Sequence, residues 1–264
     1  MEVLTPRTLD EALRMKAEAP GALPIQGGTD VMVALNFDLA RPEALLNLNE
    51  VEELRGWSQE NGTLRLGAAL TYTEAMEPGL AELLPALSEA SRTVGSPQIR
   101  NRGTIGGNLG TASPAGDALP PLLVEGAVVE LASARGERRL PLTEFLLGVK
   151  QNALEPDELV LAVHVVPSGQ PQTFMKVGPR NAMVIAVVAL AVLADREQGE
   201  LRAAFGSAAP VPTLVTAPLS EAESFPELVV AAAAPIDDVR GTAGYRRHAL
   251  RVLTERGVQR CLAA

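Results

Sequence analysis

Apolar and polar positions along this chain change their period several times, and each change predicts an element. Thr8-Leu9-Asp10-Glu11 is a capping box that opens an amphipathic helix running to about Ala19, with Pro20-Gly21 closing it. Short apolar runs at Ala22–Ile25 and Ala44–Leu48 flank a Gly27-Gly28 turn and a helical turn over 31–35, a small β-α-β-like unit. Leu54–Ser58 and Thr63–Ala68 read as a hairpin across Asn61-Gly62, a type I′ turn signal. A second capping box pairs Thr71 with Glu74, and helices are predicted over Thr71–Ala75, Pro85–Thr93 and Ala118–Glu125, the last ending at Gly126. Strands are predicted at Ala127–Ala132, at Arg138–Leu140 after Gly136, and at Leu159–Val166.

Around Pro167–Pro171 the composition turns to loop residues, and a domain boundary is expected there. Residues 1–166 then form one domain, with 1–53 and 54–166 as subdomains, and residues 167–264 form a second. Within it Thr173–Val177, Ala182–Ala194 and Leu201–Gly206 are candidate strands, with a turn at Gln198-Gly199. The uninterrupted apolar run 182–194 has no readable period, and its Val and Ile content argues for strand. A helix from about Thr242 to Leu262 closes the chain, with Leu250, Leu253, Val258 and Leu262 on an apolar side.

Composition narrows the chemistry. The chain has 264 residues, 47% hydrophobic and 21% charged, ample for a buried globular core. A net charge of −9 argues against nucleic-acid binding, which needs a basic face. Run 182–194 is too short to span a bilayer, so no transmembrane segment is expected. No signal peptide is read at the N-terminus, and Cys261 is the one cysteine, so a cytoplasmic chain is expected. One thiolate cannot hold an iron–sulfur cluster, and His164 and His248 alone make a zinc or copper site implausible. There is no G-x-S-x-G elbow, Walker loop or G-x-G-x-x-G fingerprint. Redox work by this chain would need an organic cofactor.

Two glycine-rich stretches remain. Gln26-Gly27-Gly28-Thr29-Asp30 lies between apolar runs, and residues 101–117 hold Gly103, Gly106, Gly107, Gly110 and Gly116 before Asp117. Glycines let successive backbone N–H groups converge on an anion, so the pair reads as two walls of one phosphate site. Gly27-Gly28 alone is an ordinary turn in most chains. Asp117 also fits a plain N-cap for the helix after it, and Lys176 a surface ion pair.

These residues carry a resemblance. Thr104-Ile105-Gly106-Gly107-Asn108, with Ala112-Ser113-Pro114 and Gly116-Asp117, resembles the signature of the FAD-binding medium subunits of molybdenum hydroxylases, of the carbon monoxide and xanthine dehydrogenase type. Gly27-Gly28-Thr29-Asp30 is similar to the family's first glycine loop. Lys176-Val177-Gly178-Pro179-Arg180 resembles the start of its C-terminal domain. Asp237-Asp238-Val239-Arg240-Gly241-Thr242, with Tyr245-Arg246-Arg247, resembles its last helix.

The resemblance implies an α+β fold: a two-subdomain FAD-binding fold of the PCMH/vanillyl-alcohol-oxidase type, then a small antiparallel sheet with helices. It implies FAD, its pyrophosphate held by backbone N–H groups of Gln26, Gly27, Gly28, Thr29 and Asp30 on one side and of Thr104, Ile105, Gly106, Gly107 and Asn108 on the other. Side chains of Thr29, Thr104 and Asn108 would add hydrogen bonds, and Asp117 would accept from cofactor hydroxyls. Val160 and Lys176 align with positions that line the flavin. Some members carry an aromatic around Val94, where this chain has valine, and some carry a cysteine-rich insertion that it lacks. The implied role is electron transfer in a hetero-oligomer, from an iron–sulfur small subunit and a molybdenum cofactor large subunit through FAD to an external acceptor. No catalytic side chain and no metal is expected. The rival readings are a stand-alone flavin reductase and a non-catalytic scaffold of the same fold.

Overall fold

The computed structural model describes residues 1–264. Strands β1 (Glu2–Leu4), β2 (Leu23–Ile25) and β3 (Ala44–Asn47) form a parallel sheet in the order β1-β3-β2. Helices α1 (Leu9–Glu18) and α2 (Val31–Asn36) make its crossovers. Thr8 caps α1 by accepting from the Glu11 N–H, while the Glu11 carboxylate accepts from Arg7 N rather than Thr8 N. The expected box is therefore one residue wider.

Strands β4 (Trp57–Glu60) and β5 (Thr63–Gly67) meet across Asn61-Gly62, both left-handed at φ 49° and 80°, as a type I′ turn requires. The first strand begins three residues later than expected, because Glu52–Leu54 is a 3-10 turn that buries Leu54. Thr71 N donates to Glu74 Oε2 (2.7 Å) and Glu74 N to Thr71 Oγ1 (3.2 Å), the second capping box, though the turn it opens is 3-10. Helices α3 (Pro78–Leu83), α4 (Pro85–Thr93) and α5 (Pro97–Arg100) follow, each opening on proline, whose fixed φ and missing N–H suit a first turn.

The stretch 101–117 is not a loop throughout. It contains helix α6 (Ile105–Thr111), and a separate helix α7 spans Leu119–Val124. Strands β6 (Val128–Ser133) and β7 (Gly136–Pro141), helix α8 (Leu142–Phe145), the small hairpin β8 (Leu146–Gly148) with β9 (Gln151–Asn152), and β10 (Leu159–Val165) complete this part. The resulting sheet is antiparallel in the order β4-β5-β10-β6-β7.

Strands β11 (Gln172–Val177), β12 (Val188–Asp195), β13 (Glu200–Gly206) and β14 (Thr213–Pro218) form an antiparallel meander, followed by α9 (Phe225–Ala231) and α10 (Ala243–Ala263). Every residue of β12 is buried. Val188, Leu190 and Val192 belong to the core shared with α10, while Ala189 and Ala191 belong to the larger core with α4 and α7. An antiparallel strand covered on both faces loses its hydrophobic alternation. The strand is shorter than expected, because residues 182–187 are irregular. Elements α3, α5, β8, β9, β14 and α9 carry no periodic signal long enough to have been expected. No helix is long and apolar enough to cross a membrane. This is a mixed α+β fold whose glycine stretches meet at one cleft.

Candidate functional site

A cleft of about 690 Å³ opens where the chain leaving β2, the start of α6 and residues 113–117 converge, a size suited to a large ligand. Gln26, Gly27, Gly28, Thr29 and Asp30 line one side. A Cβ on Gly27 would lie 1.9 Å from the Arg102 carbonyl oxygen, so this glycine exists for contact between the two stretches rather than for ligand approach. Arg102 Nη2 also donates to the Gln26 carbonyl (3.1 Å) and to Asn49 Oδ1 (2.8 Å). The N–H groups of Gly27, Gly28, Thr29 and Asp30 donate to no backbone carbonyl. Asp30 is exposed and accepts from Thr111 Oγ1 at 3.4 Å, which ties α2 to α6.

The other side differs. Ile105 N donates to Leu70 O (2.9 Å), Gly106 N to Ala68 O (2.8 Å), Gly107 N to Thr104 Oγ1 (3.0 Å) and Asn108 N to Thr104 O (3.0 Å). All four amides have acceptors inside the protein, where they cap α6 and dock it after β5, and of the five amides expected on this side the Thr104 N–H alone has no acceptor. Gly106 is needed because a Cβ there would meet Ala68 at 2.6 Å. Thr104, Gly106, Gly107 and Asn108 line the cleft, but Ile105 is fully buried in the core and does not. Besides the Thr104 amide this side offers side chains, and Asn108 Oδ1 is buried with no partner.

Asp117 lines the cleft and caps nothing, since α7 has no side-chain cap. Its Oδ2 accepts from Lys176 Nζ at 2.6 Å, with both side chains below 10% exposed. Burial pushes the Asp117 carboxyl above its ordinary range, and the Lys176 ammonium pulls it back in part. Asp117 Oδ1 has no partner. Lys176 is neither a surface residue nor part of the lining. It stands behind Asp117 and also donates to Thr93 O (3.3 Å). Val160, on β10, lines the cleft as expected.

The cleft also holds Val94 and, beyond what sequence reasoning assigned to it, Tyr72, Ile99, Lys150 and Ile185. Tyr72 is one of two tyrosines and lies inside the second capping box, and burial holds its hydroxyl neutral. Lys150, one of three lysines, sits at the β8–β9 turn with φ 55°, and its N–H donates to Ala112 O (3.1 Å). Scarcity of Tyr and Lys was the available signal for both. Val94, on the cleft wall, gives that wall an aliphatic rather than an aromatic surface.

Residues 1–168 match the family described as the FAD binding domain in molybdopterin dehydrogenase. The chain is 34% identical over 277 aligned positions to the xanthine dehydrogenase FAD-binding subunit of Escherichia coli O157:H7, covering 97% of this chain and 94% of that one. It is 36% identical to the nicotinate dehydrogenase FAD-subunit of Eubacterium barkeri, over 71% of this chain and 66% of the relative. Among solved structures, carbon monoxide dehydrogenase from Oligotropha carboxidovorans superposes with a TM-score of 0.93 at 27% identity, covering 100% of this chain and 98% of its own. Fold and cleft together are those of a flavoprotein with a PCMH-type domain and an added sheet domain. The chain belongs to the FAD-binding medium subunits of the molybdenum hydroxylases, oxidoreductases whose cofactor in this subunit is FAD.

The residues present suit that cofactor. Four amides without carbonyl partners on one side match an anionic pyrophosphate, and the unpartnered Gln26 Oε1, Asn108 Oδ1 and Asp117 Oδ1 match hydroxyl and amide donors.

Proposed function

We propose that this subunit carries electrons within a hetero-oligomeric molybdenum hydroxylase, receiving them from an iron–sulfur small subunit served by a molybdenum cofactor large subunit. FAD, when bound, supplies the redox chemistry and the exchange with an external acceptor. The chain's own residues bind and orient it. The Gly27–Asp30 amides take the pyrophosphate, with Gln26 beside them and the Thr29 hydroxyl as a further partner. Asn108 accepts from a cofactor donor through Oδ1, and Thr104 shapes that side by capping α6. Gly106 lets α6 pack against Ala68, Gly107 lies on the lining, and Ile105 anchors this side in the core. Asp117 accepts from hydroxyls, because a carboxylate beside phosphate would be repelled. Val160 gives an apolar contact, and Lys176 holds Asp117 in place from behind.

The observation that carries this reading is that three of the chain's buried, unpartnered side-chain oxygens belong to residues of a single cleft. Buried acceptors without partners cost about 1–3 kcal/mol each, so a site that keeps three is built to receive donors. The same reading divides the chain into 1–166, with 1–53 and 54–166 as subdomains, and 167–264. The family match ending at residue 168 supports this division. Titrating the purified chain with FAD and following flavin fluorescence tests the assignment. Saturable binding that is lost in a Gln26→Leu, Asn108→Leu double variant is expected, and binding unchanged in that variant would overturn it.

A further inference from the structure

The motif Asp237–Thr242 with Tyr245-Arg246-Arg247 contributes no residue to the cleft lining, yet it contains Arg246, a fully buried arginine. Burying a guanidinium is costly, and an apolar side chain would fill the space more cheaply. Its contacts show what it is there for. Arg246 Nη1 donates to Val187 O and to Ser207 O, both at 2.7 Å, and Nη2 to Asp238 Oδ1 at 2.6 Å. Asp238 is held in turn by Arg240, Nη2 to Oδ2 at 2.6 Å, and Arg240 Nη1 reaches the Ala186 carbonyl at 3.4 Å.

Both carbonyl sets belong to backbone that runs straight into the cleft wall. Ala186 and Val187 follow Ile185, which lines the cleft. Ser207 is left-handed at φ 63°, a conformation that costs a non-glycine residue about 1–2 kcal/mol. That turn aims its carbonyl at Arg246 while its N–H donates to Pro114 O at 2.8 Å. The preceding Gly206 is pressed against the same carbonyl, since a Cβ there would lie 2.8 Å from it. Pro114 is flanked by the lining residues Ser113, Ala115, Gly116 and Asp117.

We infer that Asp238, Arg240 and Arg246 form a positioning bracket for the FAD cleft, fixing Ile185 through carbonyls 186 and 187 and the 113–117 loop through the Ser207–Pro114 bond. None of the three touches the cofactor. Without Arg246 the Ser207 peptide is free to relax to negative φ, and its N–H leaves Pro114. The inference rests on the cleft being the FAD site.

The test compares full-length wild type with Arg246→Lys, Arg240→Gln and, as a control for general loss of stability, Leu253→Ala, a core position of α10 outside the bracket. Arg240 is partly exposed, so its variant folds even where the Arg246 variant does not. FAD dissociation constants are read by fluorescence titration, and hydrogen exchange of the Ser207 amide and of 113–117 is read in the apo protein. Removing one charge-assisted bond should weaken FAD about tenfold in Arg246→Lys and a few-fold in Arg240→Gln, with faster exchange at Ser207 in both, and leave Leu253→Ala within about twofold. Bracket variants that lose no more affinity than Leu253→Ala, or a Ser207 amide exchanging at the wild-type rate, would overturn the bracket. If wild type takes up no FAD, the cofactor reading fails and the exchange data alone decide the bracket.

Discussion

Gln26–Asp30 and Thr104–Asn108 each contain a Gly-Gly pair, and the two stretches border the same cleft. In the first, four successive amides from Gly27 to Asp30 donate to no carbonyl. In the second, the amides from Ile105 to Asn108 all have acceptors inside the protein, at Leu70, Ala68 and Thr104. The first therefore has four amides to offer an anion, while the second has the Thr104 N–H and side chains such as Asn108. Glycine richness marks both places because the chain is crowded there: Gly27 lies against Arg102 and Gly106 against Ala68. A glycine pair by itself reports a close approach and leaves open whether the neighbour is ligand or protein.

The largest effect that separates the two sides should come from Lys176→Met. It leaves the Asp117 carboxylate buried without its counter-charge and should cost about 3–5 kcal/mol in urea unfolding. A loss below 1 kcal/mol would mean the pair is solvated and the second side is not held from behind. Gly27→Ala comes next. Its Cβ would enter the Arg102 carbonyl, so about 1–3 kcal/mol of destabilisation and loss of FAD retention on desalting are expected. In contrast, Gly107→Ala meets only the Thr104 hydroxyl at 3.0 Å and should retain FAD.

Asn108→Leu should weaken FAD about tenfold. Competition by inorganic pyrophosphate, which reports on the first side, should stay unchanged. Equal loss of both would erase the contrast between the two stretches. The pH response offers a further handle. Because burial raises the Asp117 pKa, and its ionised form is the proposed acceptor for cofactor hydroxyls, FAD affinity should be full above that raised pKa. It should fall as pH drops through it, and Asp117→Asn should flatten the profile. A wild-type profile as flat as that of the variant would remove Asp117 from the site. The smallest effect is expected at Gly110→Ala in α6, where a Cβ meets nothing within 4 Å and the helix should gain about 0.5–1 kcal/mol in thermal unfolding.

Much of the fold was legible because its signals are local. Capping boxes at Thr8 and Thr71, the Asn61-Gly62 turn and the proline-opened α4 each depend on residues within four positions of one another. Elements that went unread, such as α9 and β14, are short and held by packing against α10 and β13. In the cleft, Gln26–Asp30, Asn108, Asp117 and Val160 were legible from the family signature, and the structure brings them together. Ile105 and Lys176 were placed on the lining and lie behind it, since a motif records which residues cluster and not which of them face the ligand. Lys150 and Ile185 have no neighbouring motif, Tyr72 sits in a capping box that carries no ligand signal, and long-range packing brings all three to the site.

By itself the sequence determined the class of protein, through a glycine signature whose residue types are dictated by close backbone contacts. It also determined most helices and turns, because capping and φ preferences act over a few residues. Only the tertiary structure decided which amides remain free. A backbone N–H is spent or available according to the carbonyl that folding brings within 3 Å of it, and for Ile105 and Gly106 those carbonyls belong to Leu70 and Ala68, more than thirty residues earlier in the chain. The same holds for Arg246, whose partners Val187 and Ser207 flank β12 and β13 and lie 59 and 39 residues from it in the chain.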